Sequence, residues 1–146
     1  MEPVSVSHLA TALALSLTFG GMTFFSAVVA PVVFTRLPPE TAGRFIREMF
    51  PWYYLTMGVT TLVALLAMTA AQHHSLTLEA ILTLGVLSGF IFARQVLMPS
   101  INRARDAELA GQDGAERRFA RLHRTSVLLN GCQWLATLAA LVLVLS

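Results

Sequence analysis

Four apolar stretches, each about the length of a bilayer-crossing helix, leave this chain little sequence with which to build anything else. They run roughly Leu9–Phe34, Trp52–Ala71, Leu78–Leu97 and Ser126–Leu145. Lipid offers backbone groups no partner, so a spanning segment must satisfy every N–H and C=O within its own helix, and about 20 apolar residues cross the hydrocarbon core. The 146 residues are 55% hydrophobic and 12% charged, roughly half the charged share of a soluble domain. The expected fold is all-α, an integral membrane four-helix bundle forming one domain over residues 1–146. A cleaved signal peptide fits the first stretch poorly. Glu2 stands where a basic region belongs, the apolar run is too long, and Pro31 follows "SAVVA" awkwardly for cleavage.

The arginines set the expected topology. Arg36, Arg44 and Arg47 fall between the first and second stretches, and Arg103, Arg105, Arg117, Arg118, Arg121 and Arg124 between the third and fourth. The positive-inside rule puts both Arg-bearing connections in the cytoplasm and both termini outside, in a cell inner membrane. The basic balance is thereby read as topology, and no nucleic-acid partner is expected. Cys132 is the only cysteine, which excludes an internal disulfide and a multi-cysteine metal site.

Between the first two stretches, Ala42, Phe45, Ile46, Met49 and Phe50 follow helical spacing, with Glu40, Arg44, Arg47 and Glu48 on the other face. That pattern predicts a short amphipathic helix over about 39–50, lying in the cytoplasmic interface. Pro38 and Pro39 would start it, and Pro51 would mark the turn into the second span. Trp52, Tyr53 and Tyr54 would then sit at headgroup depth. In the first stretch Ser16, Gly20, Thr23 and Ala27 form a small-residue stripe, and Gly85 and Gly89 form a GxxxG in the third; both predict close helix approach. "GQDG", Gly111 to Gly114, reads as the turn of a helical hairpin joining the third and fourth helices.

The polar residues of the apolar stretches carry the functional question. His123, Ser126, Asn130, Gln133 and Thr137 are spaced three, four, three and four apart, which makes one stripe of the fourth helix. Such side chains turn inward in lipid. Arg94 lies at matching depth in the third stretch and is a candidate partner. Amides and hydroxyls in this setting often serve simply as inter-helix hydrogen bonds, each worth about a kcal/mol or less. At the opposite end His8, His73 and His74, with Glu2 and Glu79 nearby, offer imidazoles and carboxylates suited to copper, zinc or haem iron. "QHHS" matches no known ligand spacing, and a histidine pair in a loop is commonly just solvated. Met22, Met57 and Met68 are ordinary packing residues for a span. No nucleophile–base pair and no phosphate-cradling loop is visible, so the reading leans away from an enzyme.

The stretches "RLPPETAGRFIREMFPWYY" (Arg36–Tyr54), "ARQVLMPSINRARD" (Ala93–Asp106) and "FARLHRTSVLLNGCQ" (Phe119–Gln133) resemble the transmembrane protein 205-like family. "GGMTFFSAVVAPVVF" (Gly20–Phe34) fits its first span less specifically. The resemblance implies a four-helix membrane bundle of unassigned activity; a vertebrate relative is associated with resistance to platinum drugs. By position it carries over Pro51, Arg94, Pro99, His123, Ser126 and Asn130. The bundle is also distantly similar to membrane families that bind haem or copper, including a membrane protoporphyrinogen oxidase. Those families use a histidine within the first span, whereas His8 stands at its outer edge. The leading expectation is a cytoplasm-facing polar pocket for a small molecule or metal-related ligand, built from Arg94, Asn102, His123, Ser126 and Asn130. Its alternatives are a haem- or copper-binding redox protein, and an accessory subunit of a larger membrane complex or homo-oligomer.

Overall fold

The computed structural model describes residues 5–71 and 77–146. Within them the chain forms four long helices: α1 (Val6–Arg36), α2 (Pro39–Ala71), α3 (Leu78–Leu109) and α4 (Ala115–Leu145). All four are long and apolar enough to cross a membrane. They pack in a ring, α1 against α2 and α4, and α3 against α2 and α4. This is an all-helical protein with the build of a membrane protein.

Large apolar side chains cover the surface, and the mostly apolar interior admits a row of threonines. Leu13, Leu17, Phe24, Leu66, Leu128 and Leu135 face outward, while Thr11, Thr18, Thr61, Thr83 and Thr137 are buried. In lipid, burying leucine brings no gain from leaving water, so side chains that let helices approach take the inside. Each buried threonine donates its hydroxyl to the carbonyl four residues earlier, such as Thr61 to Met57 at 2.7 Å and Thr137 to Gln133 at 2.7 Å. No hydroxyl among these five is stranded in the core.

Helix ends follow local chemistry. Ser5 caps α1, its hydroxyl accepting from the His8 N–H at 3.2 Å. Leu37 is extended because it precedes Pro38, which stops α1. The turn between α3 and α4 contains Gly111 at φ 69° and Gly114 at φ 74°, a left-handed backbone that glycine adopts without strain.

Four expectations change. Residues 39–50 are not a separate interfacial helix; they are the opening turns of α2, which runs unbroken through Pro51. Continuity also separates the aromatic triplet. Trp52 faces outward at 70% exposure, but Tyr53 and Tyr54, the next positions round the helix, are buried. Of the stripe Ser16, Gly20, Thr23 and Ala27, Thr23 is half-buried and bonded from Trp134 of α4, and the other three point outward, because the buried face of α1 is set by Thr11, Ala14, Leu15, Thr18 and Met22. Gly85 is exposed, and a side chain there would meet open space.

Gly89 is different. A Cβ at Gly89 would lie 2.8 Å from Nε2 of Gln133, the atom that donates to the Val86 carbonyl at 3.0 Å and ties α4 to α3. A side chain at Gly89 must displace that buried amide. Gly89→Ala is therefore expected to cost about 1–3 kcal/mol, the penalty for an unsatisfied buried polar group, whereas Gly85→Ala should be near neutral. Thermal unfolding of both variants in mild detergent checks this, and equal stabilities would refute it.

Three helices depart from regular geometry at one level. In α1, Phe25–Val29 is a π-helical turn, followed by Pro31; in α3, Ala93–Leu97 is another, followed by Pro99. Between them α2 carries Pro51. Their common depth is marked by contacts. The Phe25 and Phe50 rings are 5.5 Å apart, and Arg94 Nε donates to the Pro51 carbonyl at 3.4 Å. Prolines withhold an N–H and crowd the preceding turn, and π turns relieve that crowding by widening the helix.

Candidate functional site

On the Arg-rich side of this level all four helices border one cavity of about 610 Å³, within the range of small-molecule sites. Phe25, Ser26, Ala30 and Phe34 come from α1; Ile46, Arg47, Phe50 and Tyr54 from α2; Met98, Ile101, Asn102 and Arg105 from α3; Phe119, His123, Ser126, Val127 and Asn130 from α4. The irregular level is what places it there. Segment Val6–Phe24 of α1 packs on both α2 and α4, but beyond the π turn segment Ala30–Arg36 packs on α2. The space between α1 and α4 opens at that point.

The floor is held by partnered polar groups. Tyr53 donates its hydroxyl to Asn130 Oδ1 at 3.1 Å, and Asn130 Nδ2 donates to Ser26 Oγ at 3.4 Å, so one amide joins α4 to α2 and α1. One turn deeper, Gln133 bonds α3 and Trp134 Nε1 donates to Thr23 at 2.8 Å. Around Tyr53, the rings of Phe25, Phe50 and Tyr54 lie 4.6, 6.0 and 5.4 Å away and make a rigid aromatic wall.

The mouth is charged. Arg47 Nη2 donates to Asp106 at 2.7 Å and to the Asn102 carbonyl at 3.1 Å. Arg105 Nη1 donates to Glu108 at 2.7 Å, and its guanidinium lies 5.3 Å from the centre of the Phe119 ring. His123 is exposed and stacks on the same Phe119, with centroids 5.9 Å apart. Both ion pairs are half-exposed, so each adds little to stability; their effect is to fix where the guanidiniums sit.

Asn102, His123, Ser126 and Asn130 are thus brought to one cavity. Arg94 is not among its lining residues. It belongs to the π turn of α3 and clamps that helix to the Pro51 carbonyl of α2, because a shared depth does not fix which face a side chain takes. Along the polar stripe of α4, Gln133 and Thr137 are buried, Ser126 and Asn130 half-buried, and His123 exposed at the mouth. Pro51 and Pro99 border the cavity level, and of the two glycines Gly89 alone meets a neighbour within reach of a Cβ.

At the other end His8 is exposed. His73 and His74, with Glu2, lie outside the described residues. Among the described residues no group of three His, Cys, Asp or Glu is placed to hold a metal ion.

Two lining residues, Arg47 and Arg105, were not among the candidate site residues expected from sequence. A signal for Arg105 exists in the sequence: Met98, Ile101, Asn102 and Arg105 are spaced i, i+3, i+4, i+7, one face of α3 continuing past Pro99. Arg47 carries the same mark, since Gly43, Ile46, Arg47 and Phe50 are spaced i, i+3, i+4, i+7 on one face of α2.

A family model described as a domain of unknown function, DUF4149, matches residues 13–109. The match takes in most of α1 and all of α2 and α3, and ends before the α4 residues of the cavity. No curated protein and no solved structure matches the chain.

Proposed function

The chain belongs to the DUF4149 family, whose function is unassigned, and from that premise we propose that it is a multi-pass inner-membrane protein that binds a small molecule without transforming it. Within the family we place it with the transmembrane protein 205-like proteins, on the three stretches quoted above. The Arg-bearing ends of the helices face the cytoplasm and both termini face out, following the arginine distribution. The cavity would then open on the cytoplasmic half of the membrane.

One observation carries the binding reading: the cavity gathers Asn102, His123, Ser126 and Asn130 from two helices, together with two guanidiniums, around an apolar body. Few converging polar groups in a largely apolar hollow are the usual make-up of a ligand site. No pair of these groups forms a nucleophile with its base, so binding is favoured over catalysis.

The experiment is mass spectrometry of small molecules that stay with the protein after extraction in mild detergent. A defined molecule is expected in stoichiometric amount on the parent chain, and Asn102→Ala with His123→Ala should lower it about tenfold, the loss of one or two polar contacts. A parent chain that retains nothing, or variants that retain as much, would sink the reading.

A further inference from the structure

The cavity is amphipathic along its length, and its length is informative. From Asn130 to Phe119 it follows α4 for about 16 Å at 1.5 Å per residue, from inside the fourth apolar stretch, which starts at Ser126, out into the Arg-bearing segment before it. Its body is lined by Phe25, Ala30, Ile46, Phe50 and Met98, and its mouth by Arg47, Asn102, Arg105 and His123. No lining residue is acidic. The protein bonds of each mouth arginine run through a single terminal nitrogen, Nη2 of Arg47 and Nη1 of Arg105. A guanidinium has five N–H donors, so each keeps donors for a planar or tetrahedral anion, which it can engage in bidentate fashion.

The side of the cavity opens on the apolar outer surface. Phe34 of α1 and Val127 of α4 both line it, and both are more than half exposed, at 58% and 56%. They stand on either side of the gap that opens after the π turn of α1. An occupant can therefore arrive from the bilayer, tail first embedded, without crossing the packed outer half.

We propose that this cavity takes a single-chain acidic lipid, an acyl tail bearing a carboxylate or phosphate monoester, which enters sideways between α1 and α4 and sets its anionic head among Arg47, Arg105 and His123. The proposal rests on the reading that the cavity binds a small molecule. Asp106 and Glu108 hold the arginines in place and balance their charge before the lipid arrives.

The test is equilibrium binding to the full chain purified in neutral detergent, with three probes: palmitate, its uncharged methyl ester, and inorganic phosphate. Palmitate is expected to bind once per chain and the ester at least tenfold more weakly, with phosphate failing to compete. Arg47→Gln and Arg105→Gln should each weaken palmitate about tenfold and leave the ester unchanged, while Arg105→Lys, which keeps the charge, recovers part of the loss. A monodisperse elution profile for each variant separates lost binding from lost folding. Ester binding equal to palmitate, or phosphate competing at equal concentration, would overturn the acidic head or the tail respectively. If no lipid binds but another small molecule stays with the parent chain and leaves in His123→Ala, the lipid proposal alone fails. If none binds and none is retained, both readings fall.

Discussion

Ser126→Trp should empty the cavity, lowering any retained small molecule by more than tenfold. Ser126 lines the hollow from α4, and its hydroxyl is occupied locally, donating to the His123 carbonyl at 2.9 Å. The position therefore contributes space rather than an inter-helix bond. An indole there projects into the body of the cavity, where the ligand's apolar part would lie. Overpacking a filled core typically costs about 1–3 kcal/mol, but here an open volume receives the ring, so the helices should keep their stability. The diagnostic result is a variant that elutes and melts like the parent and yet carries no ligand. Full retention in a well-folded Ser126→Trp would show that the ligand sits elsewhere.

Phe90→Ala should be the most damaging truncation of the interior. Phe90 is 1% exposed, packs in the cluster of Met22, Tyr53, Tyr54, Met57, Val86 and Ala93, and lies 6.5 Å from the Tyr54 ring centre. Gly58 of α2 faces it closely, a Cβ built there standing 3.9 Å from Cβ of Phe90. In a soluble core such a truncation costs about 3–5 kcal/mol, part of it the transfer of apolar surface out of water. Lipid tails replace water here, so the transfer part is missing and the void remains. The expected loss is about 2–3 kcal/mol. Leu128→Ala on the outer face, 62% exposed, should cost almost nothing. Unfolding of both variants in detergent–denaturant mixtures measures the contrast, and a Phe90→Ala loss no larger than that of Leu128→Ala would show that packing does not hold this level together.

The helices were legible because a bilayer imposes length and apolarity on a contiguous window of sequence, and no distant residue alters that demand. Facing was legible only where a strong penalty enforced it. Gln133 and Thr137 lie inward because an unsatisfied amide or hydroxyl in lipid is costly. Ser16, Gly20 and Ala27 are tolerated on either face, and their even spacing carried no direction. Proline was the other source of error. Pro51 reads locally as a boundary, yet its neighbours in α1 and α3 hold the turn together, and α2 continues. That continuity joins the cavity wall of residues 39–50 directly to the buried Tyr53 and Tyr54. Arg94 misled for the opposite reason. A charged residue at the right depth invites a functional role, while its bond to the Pro51 carbonyl is a tie between helices.

The unbroken run of α4 from Ala115 to Leu145 gives the cavity unequal walls. α4 is a mast, with a complete ladder of axial hydrogen bonds that carries load from end to end. The other three walls each contain one weak storey, at Phe25–Val29, at Pro51 and at Ala93–Leu97, where the axial ladder is interrupted or widened. The departures from regular helix thus lie beside the cavity, in three of its four walls, and the threonine-lined packing is left regular.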